Sequence, residues 1–68
     1  KNVSCLNIKG YFNSDSNFIN HSSLLDVASN LIITVLGDEK GKHSRVAIGC
    51  SSLPKNSPVE IESIFSIY

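Results

Sequence analysis

A small α/β (α+β) domain of element order β-α-β-β is the fold class this sequence predicts. Three observations predict it. Apolar residues alternate with period two in three segments, a central segment carries a helical period, and clusters of turn formers separate them.

The first strand is expected over residues 3–12, VSCLNIKGYF. Leu6, Ile8 and Phe12 share one parity with Gly10 between them, while Asn7, Lys9 and Tyr11 share the other. The run Asn13-Ser14-Asp15-Ser16-Asn17 consists of turn formers and ends it. A helix is expected over 22–36, because Leu24, Leu25, Ala28, Leu31, Ile32, Val35 and Leu36 recur with the 3.6-residue period. Asn20 or Ser22 is placed to cap its start, and Gly37 to take the left-handed conformation at its end. A charged, glycine-bounded loop is expected over 37–42.

Residues 45–51, RVAIGCS, read as a short strand. Val46, Ile48 and Cys50 alternate with Ala47, Gly49 and Ser51, so one face carries only small residues and leaves room for a backbone or a ligand. Pro54 and Pro58 bound the next connection, since neither has an N–H to give to a central strand. The last strand is expected over 59–67, with Val59, Ile61, Phe65 and Ile67 on one face and Glu60, Glu62, Ile64 and Ser66 on the other. A helical connection suits parallel pairing of the first two strands with a right-handed crossover. The short second connection suggests that strands two and three are neighbours. One helix leaves the second sheet face for another layer or another subunit.

Composition narrows the function classes. With 68 residues this is one small domain, of a size that hides only about 60% of its unfolded surface. Six basic residues balance six acidic ones, which argues against a nucleic-acid binder or a polybasic membrane anchor. Apolar runs such as Leu31-Ile32-Ile33 fall far short of the ~20 residues that span a bilayer. Cys5 and Cys50 allow one bridge at most, and with His21 and His43 they lack the spacing of a structural zinc site. Oligomerisation is the remaining way to support so small a core. The chain begins at Lys1 and has no methionine, which suggests a fragment or a processed product. Its first residues do not resemble a signal peptide.

Few residues invite chemistry. Arg45, the only arginine, opens a strand, where a guanidinium can grip a carboxylate with two parallel N–H bonds or simply be a solvated cation. Glu60 and Glu62 share a strand face about 7 Å apart, suited to acid–base work or to a charged strand edge. Cys50 has no histidine positioned by sequence and reads as a buried thiol; His21 reads as a surface residue. There is no G-x-S-x-G elbow, G-x-G-x-x-G turn or P-loop.

The segment H43-S44-R45-V46-A47-I48-G49-C50-S51-S52-L53-P54, followed by V59-E60-I61-E62-S63, resembles the C-terminal signature of the Rid (YjgF-type) family of imine deaminases. That signature is an arginine, a strand of small and β-branched residues, Leu-Pro, a short turn, and an apolar-Glu-apolar-Glu-small strand. G10-Y11-F12-N13-S14, F18, A28-S29 and L36-G37 are similar to the variant branch that reads His-x-Arg. The resemblance implies a chorismate-mutase-like α/β fold, of which residues 1–68 would be the C-terminal portion, a single partial domain. It implies homotrimers with active sites in clefts between adjacent subunits, a cytoplasmic location, and no metal or organic cofactor. Arg45 would bind the carboxylate of a small imine. Glu60 would position the attacking water, with Ala47, Gly49 and Glu62 in support, and the products would be a 2-keto acid and ammonia. The alternative is a truncated, non-catalytic relative that binds small carboxylates or serves as an interaction module. Ribonuclease names also used in that family find little support here, given zero net charge and no paired histidines.

Overall fold

The computed structural model describes residues 2–68; Lys1 lies outside them. The elements are β1 (Val3–Asn13), α1 (His21–Gly41), β2 (Ser44–Cys50), a short 3-10 turn (Pro54–Asn56) and β3 (Val59–Ile67). This is the expected β-α-β-β order in an α+β domain. A parallel pairing joins β1 to β2, from Asn7 opposite Ser44 to Asn13 opposite Cys50. An antiparallel pairing joins β1 to β3, from Val3 opposite Ile67 to Phe12 opposite Val59.

The strand order is β2-β1-β3, so β2 and β3 are not neighbours as the short connection had suggested. The connection instead passes over the end of β1, crossing two strand spacings of about 4.8 Å each. Asn13 anchors it: its backbone N–H donates to the Pro58 carbonyl (2.9 Å) and its side-chain amide to the Ser57 carbonyl (3.2 Å). Lys55 and Asn56 take positive φ angles of 56° and 55° to make the turn.

A second departure lies in β1. A bulge between Cys5 and Asn7 shifts the alternation. Cys5 therefore turns inward, 2% exposed, and Leu6 is left 50% exposed where the simple alternation had placed it beside Ile8 and Phe12. The core is Cys5, Ile8, Phe12 and Leu25, with Ala28, Ile32, Leu36 and Ala47 packed against it.

The helix starts at Asn20 as N-cap, although its side chain makes no capping bond. Gly37 breaks the helical path with a positive φ of 89°, as its position after Leu36 predicts, but its ψ of 166° is extended rather than that of a left-handed cap. The expected loop beyond it is instead one further turn, reaching Gly41. A Cβ on Gly41 would come within 2.7 Å of the Ile33 Cα, so only glycine lets this turn fold back on the helix.

Candidate functional site

The register fixes which side chains share a face. Ile8 pairs with Arg45, Gly10 with Ala47 and Phe12 with Gly49, all on the face that α1 covers. Lys9 pairs with Glu62 and Tyr11 with Glu60, on the opposite face. Arg45 and Glu60 thus occupy opposite faces and the two flanking strands of the sheet.

Arg45, the second residue of β2, reaches across to α1. Its Nη2 lies 2.6 Å from Asp26 Oδ1 and donates to Ser22 Oγ at 2.8 Å and the Ser22 carbonyl at 3.3 Å. Its Nη1 donates to Ser29 Oγ at 3.0 Å. Ser22, Asp26 and Ser29 fall on one stripe of the helix, since spacings of four and three residues return to the same side. Ser29 is itself buried and lies 2.9 Å from His43 Nε2. On the other side of the ring, His43 Nδ1 is 2.6 Å from the Gly41 carbonyl. A carbonyl only accepts, so Nδ1 carries the proton. In the neutral ring Nε2 then accepts from the Ser29 hydroxyl, whose oxygen accepts from Arg45. The result is a directional chain that fixes the guanidinium: Arg45 to Ser29 to His43 to Gly41.

Residues expected to leave room beside the arginine are already in contact with the chain itself. Ala47 packs against the core. A Cβ on Gly49 would come within 2.6 Å of His21 Nε2, so its small size admits the histidine. His21 is half-buried rather than a free surface residue, because its ring packs on Phe12 and Phe18 at centroid distances of 5.9 and 5.0 Å. Cys50 is also only half-buried, since it pairs with Asn13 on the face that α1 does not cover.

The opposite face carries the carboxylates. The Tyr11 hydroxyl donates to Glu62 Oε1 at 3.2 Å. That bond favours the protonated phenol, and burial and the nearby negative groups act in the same direction, so the Tyr11 pKa is raised. Glu60 stands directly across the strand pair from Tyr11.

Two of the surface hollows lie elsewhere. One, of about 380 Å³, sits at the ends of β1 and β2 and is lined by Ser14, Asp15, Phe18, His21, Cys50 and neighbours. The other, of about 550 Å³, is an apolar groove between α1 and β3, lined by residues such as Leu24, Val27, Leu31, Val59 and Ile61. Arg45 lines neither. Ser22, Asp26 and Ser29 were not singled out as a group in the sequence; their spacing puts them on one side of a helix, but nothing local ties that side to an arginine, because strand-to-helix contacts are non-local.

No helix among the described residues is long and apolar enough to cross a membrane. No family model matches the chain. It is 36% identical over 67 residues to Protein TCP17 of Trypanosoma cruzi, covering 98% of this chain and 41% of that protein. It is similar in structure to a crystal structure of the protein Atu1372, of unknown function, from Agrobacterium tumefaciens. There the TM-score is 0.90 at 42% identity, over 96% of this chain and 40% of the other. The chain spans about two fifths of the length of both.

Proposed function

We propose that this chain is the C-terminal portion of a Rid-type imine deaminase, acting as a homotrimer in the cytoplasm on small imines that carry a carboxylate. The observation that carries this reading is the placement of Arg45 and Glu60 on the two flanking strands and on opposite faces. One small molecule cannot touch both through the sheet of a single copy. Each residue is, however, on a flanking strand whose outer edge pairs with no other strand among the described residues, where a neighbouring copy can approach. A site assembled from Arg45 of one copy and Glu60 of another suits the inter-subunit clefts that the resemblance implies.

The chemistry asks for little beyond positioning. An enamine of the 2-aminoacrylate type first tautomerises to the imine. The Arg45 guanidinium holds the carboxylate and aligns the imine carbon. Glu60 orients a water and accepts its proton as the water oxygen bonds to that carbon. Glu60 passes that proton to the imine nitrogen, giving a carbinolamine; the hydroxyl proton then moves to the amino group through Glu60, the C–N bond breaks, and ammonia leaves as the carbonyl of the keto acid forms. Glu62, bonded to Tyr11, would keep the neighbouring carboxylate in place.

The test is ammonia release from an imine generated in situ by an amino-acid oxidase. Wild-type chain accelerates release over buffer, and Arg45→Ala and Glu60→Gln each lose about 10²-fold or more. Release at the buffer rate by wild type, with pyruvate still binding through Arg45, would instead favour the non-catalytic carboxylate-binding reading.

A further inference from the structure

The guanidinium of Arg45 is not free to receive a ligand carboxylate. Arginine offers two two-pronged faces, the end-on pair Nη1 and Nη2 and the side-on pair Nε and Nη2. Both faces include Nη2. That nitrogen has two hydrogens, and three acceptors already surround it: Asp26 Oδ1 at 2.6 Å, Ser22 Oγ at 2.8 Å and the Ser22 carbonyl at 3.3 Å. Nη1 gives one of its bonds to Ser29.

These partners differ in how easily they leave. The Ser22 carbonyl belongs to the helix backbone. Ser29 is 7% exposed and held by His43. Asp26 is the one charged partner, and its side chain is 55% exposed against 26% for Arg45. Solvent access and a single contact allow it to swing away, and the Ser22 hydroxyl, on an exposed residue, can rotate with it and free one Nη2 hydrogen, whereas the Ser22 carbonyl and Ser29 are built in. Its charge is also what conflicts with an incoming anion, since two carboxylates cannot share Nη2 without repulsion.

We propose that Asp26 is an internal carboxylate latch on Arg45, which a ligand carboxylate must displace and which therefore sets the affinity and selectivity of this site. The proposal rests on the reading that Arg45 receives the substrate carboxylate. It assigns Asp26 a specificity-determining role that acts through Arg45.

The probe is pyruvate, a stable 2-keto acid, titrated calorimetrically into the 68-residue chain. Asp26→Ala removes the latch, and Asp26→Asn keeps its shape without its charge. Both variants are expected to bind pyruvate about tenfold more tightly than wild type, the gain coming from a relieved like-charge contact. Adding Arg45→Ala abolishes the gain. Pyruvamide, which has the same outline without the carboxylate, gains nothing in either variant. Affinity unchanged or weakened in both variants would overturn the latch, as would a gain that survives loss of Arg45 or extends to pyruvamide. Absence of pyruvate binding in wild type and both variants would overturn it too, because opening the latch must expose the site. The deaminase reading is judged separately by ammonia release, so the two can fail independently.

Discussion

One helix carries two apolar stripes with opposite fates. Leu25, Ala28, Ile32 and Leu36 pack onto the sheet, and Leu25 is only 1% exposed. Leu24, Val27, Leu31 and Val35 are 50–74% exposed beside the helix-facing side chains of β3. Composition and period do not distinguish the two stripes. What differs is the supply of partners: β1 and β2 lie under the first, while the second overlooks a groove along β3. A hydrophobic period reports what a chain is prepared to bury, and the cover must come from elsewhere.

The largest expected contrast is between equal truncations on the two stripes. Leu25→Ala should cost about 2–5 kcal/mol, because it empties a packed site in a four-residue core. Leu31→Ala, at a 63% exposed position, should stay within about 0.5 kcal/mol. Urea unfolding followed by circular dichroism measures both. Equal costs would break the comparison, and would mean that the groove is filled in solution.

The same contrast extends to the cysteines, both of them free thiols. Burial pushes the Cys5 thiol up, only partly offset by a backbone hydrogen bond from Asn7, while Cys50 lies at the half-covered end of β2. Alkylation should therefore modify Cys50 about 100-fold faster than Cys5, which reacts only through opening of the fold. Peptide mass spectrometry reads the ratio, and similar rates would show that the covered half opens as readily as its margin.

The smallest effect concerns the face without a helix. Glu62→Gln should bring the Tyr11 pKa back down toward the ordinary tyrosine value, as seen by ultraviolet titration in a Tyr68→Phe background. The bond to Glu62 is the largest cause of the upward shift. Because the folded pKa is raised, the linked stabilisation is present below about pH 10 and is lost as pH climbs through the folded value. An unchanged titration would mean that Tyr11 and Glu62 do not meet in solution.

Much of this was legible in the residues. The last strand lies over 59–67 as its alternation indicates, and Gly37 interrupts the helix where the apolar period stops. Local periods carry that information. The order of strands was not legible, because pairing β3 with β1 rather than β2 depends on contacts between distant segments. The bulge that exchanges Leu6 for Cys5 leaves no mark in a period of two. For the candidate site, the residue types were readable in Arg45, Glu60 and Glu62. Their division between two faces followed only once β1 was seen to stand between them. The attachment of Arg45 to Ser22, Asp26 and Ser29 likewise needed the helix to be docked.

The central claim is that Arg45 and Glu60 act together across two copies of the chain. Its most direct test mixes two single variants, Arg45→Ala and Glu60→Gln, refolded together in equal amounts. Each is inactive alone in the ammonia-release assay, yet mixed assemblies contain sites with both residues intact. The account predicts recovery of about a quarter of the wild-type rate, the fraction of interfaces that random mixing in a cyclic assembly makes complete. A mixture that stays at background while wild type is active would contradict it.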